Sequence, residues 1–309
     1  MNELNYLKVV TLFFIVVFAA VGGFVFYANP YDLYEIEPTK YTRSKYKVAS
    51  FERVIKPVAV SRQRPKTVIL GTSRASVGLD PKTLAVLTRE RAYNFAITGS
   101  YIDEISAALR HAVRQAGSNA VVWGIDYFSF TRLRPDGVRK IAFIDDCSIF
   151  CVARTFAEMT VSLKALRDAV ETVVRNALGH SADHTVLGHY IGYDSKGVLP
   201  NKPAVHLQPP FETAYDIFDK MLGFGLSRGV KFHLFISPTY RSHLRHGEKY
   251  RRWADRVVKI AQKHNISIMR SDLDPFFTAD KRLYFDSGHF KTKVGNRVLR
   301  NLLLKKLSR

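Results

Sequence analysis

The feature that most constrains this chain is a rhythm of short apolar runs, each followed by a stretch of helical character. The runs are Thr67–Leu70, Ala92–Ile97, Ala120–Ile125, Val230–Ile236 and Ile266–Met269, with helix-like segments near 103–117, 211–228 and 247–264. A strand that is apolar at nearly every position needs cover on both faces, and alternation with helices supplies it. The pattern therefore predicts an α/β fold built on a parallel sheet. The last segment fits the same plan. Val294, Val298, Leu299, Leu302 and Leu303 share one helical face, with Thr292 placed as its N-cap.

Ahead of the first run lies a different kind of segment. Val9–Tyr27 carries no charge and is apolar all round, long enough to cross a bilayer, which takes ~20 residues. The bulky Phe24, Phe26 and Tyr27 run to its end, where a cleaved leader would have small residues, so it reads as a retained anchor. Tyr6 and Tyr27 fall at the two interfaces. Lys8 precedes the span, while Lys40, Arg43, Lys45 and Lys47 follow it. A literal count of positive charge keeps the domain cytoplasmic. Long domains, however, translocate largely regardless of charge, and the expectation is a short inner tail with the soluble domain on the extracytoplasmic side.

The chain thus divides into an anchor over 1–28, a polar connector over 29–64 and an α/β domain over 65–309. Within the last, about 128–210 breaks the rhythm as an insertion holding one helix near 153–178. Of the 309 residues, 47 are Lys or Arg and 27 Asp or Glu, a net charge of +20. That excess favours anionic partners or is a solvated basic surface, and composition does not choose. Cys147 and Cys151 are too few for a disulfide framework or a zinc set, and whether they bridge depends on the compartment. His243 and His246 read as an exposed basic loop. His180, His184 and His189 with Asp183 lack a fixed ligand spacing, so no metal or other cofactor is expected.

Three short segments, two directly after strands and one before the last helix, sit where α/β sheets bind ligands, beyond the carboxyl ends of the strands. Gly71-Thr72-Ser73-Arg74 places a serine on a tight strand-to-helix turn, where its hydroxyl can be presented outward. Thr98-Gly99-Ser100 offers backbone N–H groups close approach to a ligand. In Asp286-Ser287-Gly288-His289 the carboxylate can turn back onto the histidine Nδ1 and leave Nε2 for a serine. Each alone is ordinary loop chemistry; their order along the chain is what signifies.

That order, with the stretches Ile69-Leu70-Gly71-Thr72-Ser73-Arg74, Asn94-Phe95-Ala96-Ile97 and His289-Phe290-Lys291, resembles the SGNH (GDSL-type) hydrolase superfamily over about 65–308. It is most similar to membrane-anchored members linked to surface-polysaccharide acylation. The resemblance implies a three-layer flavodoxin-like sandwich. It also implies Ser73 as nucleophile, His289 as base and Asp286 as its orienting partner, with the Ser73 and Gly99 N–H groups binding the oxyanion. One position departs from the pattern. The family's oxyanion asparagine after the third strand is matched here by Asp126, an acceptor that cannot donate to a developing negative charge. Asp126 is instead a partner for Arg74, a contact to a substrate hydroxyl, or a loop cap.

The leading expectation is an esterase or O-acyltransferase acting on acyl, most simply acetyl, esters of a cell-envelope carbohydrate at the cytoplasmic membrane. Its partners would be the polysaccharide, the bilayer and polysaccharide-assembly proteins. The alternative is a non-catalytic envelope protein using the fold for binding or assembly. A nucleotide or nucleic-acid binder ranks last, because no glycine-rich phosphate loop follows any predicted strand.

Overall fold

A computed structural model describes residues 3–146, 148–180, 182, 184, 185, 187–191, 208–240, 247–286 and 288–304. In chain order the elements are α1 (Glu3–Ala28), α2 (Glu52–Gln63), β1 (Thr67–Leu70), α3 (Ser73–Gly78), α4 (Pro81–Thr88), β2 (Ala92–Asn94), α5 (Ile102–Ala116) and β3 (Ala120–Ile125). They continue as α6 (Pro135–Ile141), α7 (Phe143–Asp146), α8 (Ile149–Thr160), α9 (Leu163–Ala177), α10 (Glu212–Leu226), β4 (Lys231–Ile236), α11 (Gly247–Lys263), β5 (Ile268–Met269), α12 (Pro275–Thr278) and α13 (Thr292–Leu304). Two compact units result, one from the chain up to Phe51 with Asp146–Asp183, the other from Glu52–Asp145 with His184 onward.

The larger unit is an α/β domain. Its five strands are all parallel, in the order β2-β1-β3-β4-β5. Side chains alternate across the pleat, and both sets find apolar cover. Val68, Leu70, Val121, Trp123, Leu234 and Ile236 pack with Ile105 and Leu109 of α5, Phe218 of α10 and Trp253 of α11. Ile69, Val122 and Phe235 belong to a second cluster with Leu79, Leu84, Val294, Val298 and Leu299. The apolar face expected on the last helix is therefore the one that is buried. Completely burying a side chain of this kind contributes about 1.5–3 kcal/mol, which makes the strands the least adjustable part of the unit.

The stretch read as a connector holds a helix. In α2, Ile55, Val58, Ala59 and Val60 are buried, and so are the charged Glu52 and Lys56. A proline inside the helix, Pro57, and a polar mean composition hide it from a search for apolar periodicity.

In the smaller unit, α1 is 26 residues long, about 39 Å at ~1.5 Å per residue, against a hydrocarbon core of ~30 Å. Its most apolar window has mean hydropathy 2.8 and is 6% buried. It is long and apolar enough to cross a membrane. The chain leaves it through Asn29, at φ 42°, whose Oδ1 accepts from Leu33 N at 2.9 Å. The single helix expected near 153–178 is instead the pair α8 and α9, broken at Val161-Ser162. The Ser162 side chain caps α9 by accepting from Ala165 N at 3.1 Å.

Candidate active site

The chain runs from β1 to β2 on one side of the sheet and to β3 on the other, so the carboxyl ends of β1 and β3 flank a topological switch point, where open sheets bind ligands. The residue after β1 is Gly71, at φ 141°. A Cβ there would come within 2.8 Å of both the Gly124 carbonyl oxygen of β3 and the Ala75 Cβ. Only glycine lets the chain turn this close to its neighbour. Thr72 then caps α3, its Oγ1 accepting from Arg74 N at 3.3 Å, which leaves Ser73 as the first residue of the helix.

Ser73 Oγ lies 2.9 Å from His289 Nε2, and His289 Nδ1 lies 2.8 Å from Asp286 Oδ2. A carboxylate only accepts, so Nδ1 carries the imidazole proton and Nε2 of the neutral ring accepts from the serine hydroxyl. Burial pushes the Asp286 carboxyl upward. His289, by hydrogen bond and by charge, and the backbone N–H groups of His289 and Gly288 hold it well below the usual carboxylate range. Those two N–H groups both donate to Asp286 Oδ1 at 2.7 Å. The turn is closed by pairing of Tyr284 with Phe290 and by Phe285 N donating to His289 O at 2.9 Å.

Next to His289, Phe290 is fully buried against α3 at Gly78, where an added Cβ would lie 1.9 Å from its ring. At Gly295 of α13, a Cβ would lie 1.8 Å from Gly78 O. The helix bearing the serine and the helix that follows the histidine therefore meet backbone to backbone.

The structure gives Arg74 and Asp126 to each other. Arg74 Nη1 donates to Asp126 Oδ1 at 2.6 Å, and Thr72 Oγ1 donates to Asp126 Oδ2 at 2.6 Å. The rest of the guanidinium is spent on backbone and loop groups. Nε donates to Gly288 O at 2.7 Å, and Nη2 donates to Thr239 Oγ1 at 2.9 Å and to Pro238 O. One side chain thereby ties the Ser73 turn to the end of β3, the loop after β4 and the residue beside His289. Of the uses open to Asp126, the arginine partnership is the one observed, and Arg74 serves as a bracket within the protein.

Gly99, at φ 63°, is drawn to the same end of the sheet. Ile97 N and Ser100 Oγ both donate to Gly71 O, at 3.1 and 3.0 Å. From beneath, Thr98 N donates to Glu52 Oε2 at 2.7 Å. Glu52 Oε1 also meets Lys56 Nζ at 3.2 Å and His184 Nε2 at 3.1 Å, all three side chains being buried. Lys56 spends its remaining donors on Ala96 O at 2.5 Å and Ser76 Oγ at 3.4 Å, so the ammonium meets three acceptors with its three protons. Burial pushes Glu52 up, but Lys56 first, then His184 and Thr98 N–H, hold it at about 2. Burial outweighs the opposing pull of Glu52 and leaves Lys56 below its ordinary value. The filled acceptor set makes this an ionised pair.

Sequence reasoning missed this support. Glu52 and Lys56 stand four apart in a helix, the usual spacing of a solvated surface pair, and nothing in the sequence marks them as buried. The histidines near 180–189 do not converge. His180 O accepts from Tyr46 Oη, His184 joins Glu52, and His189 Nε2 donates to Val77 O at 2.9 Å. Among the described residues no three His, Cys, Asp or Glu gather as a metal site. Cys147, Asp183, His243, His246 and Ser287 lie outside the described residues. The chain matches no protein-family model and no curated protein sequence.

Proposed function

We propose that the chain is a membrane-anchored serine acyl-transfer enzyme of the SGNH type. It would act as an esterase or O-acyltransferase on acyl, most simply acetyl, esters of a cell-envelope carbohydrate. The observation that carries the reading is the hydrogen-bond chain from Asp286 through His289 to Ser73. The strand order, with apolar cover on both faces, supports the three-layer flavodoxin-like sandwich that goes with it. The anchor would be α1 in the cytoplasmic membrane, with the α/β unit outside.

The chemistry follows from the proton positions. Ser73 Oγ gives its proton to His289 Nε2 and bonds to the ester carbonyl carbon, while Asp286 stabilises the imidazolium. The carbonyl oxygen takes the negative charge, facing the N–H groups of Ser73 and Gly99. Collapse breaks the bond to the leaving alcohol, which takes the proton from His289 and leaves an acyl-Ser73. Water or a sugar hydroxyl then gives its proton to His289 and attacks the acyl carbon; the acyl–Oγ bond breaks, His289 returns the proton to Ser73 Oγ, and the acid or the new ester is released. Asp126 has no part in oxyanion binding; its charge is matched by Arg74.

The test is hydrolysis of nitrophenyl acetate by the full chain in detergent, beside Ser73→Ala and His289→Ala, with a fluorophosphonate probe as second readout. Turnover lost in both variants, with labelling that requires Ser73, supports the reading. Equal turnover in all three and no labelling overturns it. That result would favour the binding protein, whose one specific support is the carboxylate of Asp126 where the family has a donor.

A further inference from the structure

Helix α9 is mounted with its polar side inward. Asp168, Thr172 and Asn176 are buried. Their partners come from the segment that follows α1: Tyr31 Oη donates to Asp168 Oδ2 at 2.8 Å, and Asn176 exchanges two 3.0 Å bonds with the backbone of Ser44. The opposite side is open and, apart from Arg167, apolar. Leu163 is 87% exposed, Val170 46%, Val174 49% and Leu178, just past the helix end, 69%. At 100° per residue these four fall within one stripe. A water-facing helix has the reverse arrangement, so the stripe is built for an apolar neighbour.

What that neighbour is follows from where the α8–α9 turn sits. The position of a Cβ on Gly22 lies 3.7 Å from Val161 Cγ2, and Tyr34 Oη bonds Thr160 Oγ1 while its ring lies 4.8 Å from that of Phe26. At ~1.5 Å per residue, Gly22 is about 9 Å short of Ala28 along α1. It lies inside the uncharged run Val9–Tyr27. The turn carrying Val161 and Leu163 is thus pinned beside the apolar shaft of α1, below its exit. Interfacial helices sink their apolar face to about this depth, ~5–10 Å. Lys164 and Arg175 border the stripe and Arg167, 72% exposed, falls within it between Val174 and Leu178; their heads pair with Asp168 and Glu171, and their stems can lie on apolar surface with the charge held towards the headgroups.

We infer that the α8–α9 turn and the apolar stripe of α9 are immersed in the leaflet next to the carboxyl end of α1, a second membrane contact that fixes how the smaller unit stands on the bilayer. This rests on reading α1 as a membrane span. The stripe meets lipid, and the polar side of α9 holds the exit segment of α1.

The test places a benzoylphenylalanine photo-crosslinker singly at Leu163, Val174, Phe14 and Val86 in the full chain. Each variant is reconstituted in vesicles of phosphatidylcholine and phosphatidylglycerol. Phe14 reports the span, and Val86, an exposed apolar residue of α4, is the aqueous control. The expected result is lipid adducts at Leu163 and Val174 on the order of those at Phe14 and at least tenfold above Val86. Lipid adducts at Phe14 with only Val86-level labelling at Leu163 and Val174 overturns the second contact and leaves the anchor standing. Adducts to a second copy of the chain at Leu163 or Val174 overturn it in favour of a protein interface. Absence of lipid adducts at Phe14 as well overturns the span and the inference together.

Discussion

Helices α5 and α9 are both 15 residues long and separate apolar from polar side chains about equally, yet they are mounted in opposite senses. In α5, Ile102, Ile105, Leu109 and Ala112 are buried and Arg110 and Arg114 face out. In α9 the buried residues include Asp168, Thr172 and Asn176, while Leu163 and Val174 face out. The pattern of a helix therefore says that it has two sides, and its surroundings decide which is the inside. Polar groups in the α/β unit act differently, since the buried Glu52, Lys56, His184 and Asp126 and the half-buried Arg74 all lead to loops at the carboxyl end of the sheet.

The largest effect expected from breaking that arrangement is at Asp286. Asp286→Asn keeps the shape of the turn but offers Nδ1 of His289 no carboxylate, so the ring loses both its tautomer and its countercharge. In a triad this lowers kcat by about 10⁴-fold, some 5 kcal/mol of barrier. Nitrophenyl ester kinetics should show the loss in kcat with KM little changed. A loss under tenfold would mean that Asp286 serves the fold of its turn and not the chemistry.

Lys56→Met comes next. It leaves Glu52 buried with only His184 and Thr98 N–H for company, a break that destabilises by about 3–5 kcal/mol in denaturant unfolding at neutral pH. The acid limb supplies a second readout. Glu52 is held at about 2 against an ordinary 4.5. With the folded value the lower, its stabilisation is complete above 4.5 and is lost as pH falls towards 2. Without Lys56 the folded value rises towards 4.5, so the part of the acid loss due to Glu52 shrinks and is complete at a higher pH. An unchanged acid limb would show that the pair does not hold Glu52 down.

Asp126→Asn is milder. It preserves the bond with Thr72 and removes the charge facing Arg74, so the bracket that reaches Gly288 beside His289 loosens. A displacement of about 1 Å at reacting groups lowers turnover by about 10²-fold, with global stability less affected than in Lys56→Met. If Asp126→Asn instead raised turnover, the asparagine would be acting as an oxyanion donor, and the bracket would be secondary.

These residues also mark where the sequence is readable. The strands are, since β1 and β3 are runs in which every or nearly every residue is buried, and β4 and β5 fall inside their predicted runs. Beyond Asn94 the chain still bonds to β1, through Phe95 N to Ile69 O and Ile97 N to Gly71 O, so the longer run Ala92–Ile97 carries real signal. Ser73, Asp286 and His289 are readable because each is tied to a turn directly before or after a regular element. The bracket and the buried pair are not. Arg74 to Gly288 spans 214 positions, and Lys56 to Ala96 spans 40; a composition or period has no access to such pairs. Nor does periodicity tell which side of α9 faces in, because that depends on Tyr31 and Ser44.

The smallest expected effect is the one that most directly tests the opposite mounting of α9. Val174→Ser and Leu163→Ser remove apolar surface that packs on solvent or lipid and not on the protein. In detergent each should shift the thermal midpoint of the full chain by no more than about 1–2 °C, the equivalent of ~0.5 kcal/mol. Thr172→Val on the other side of the same helix replaces a buried hydroxyl that donates to Asp168 O at 2.8 Å with a methyl, and should destabilise by about 1 kcal/mol despite being more apolar. The usual rule for a soluble helix predicts the reverse order. Were the serine variants to lose several degrees while Thr172→Val gained stability, the stripe would be packed against protein, and α9 would be an ordinary core helix like α5.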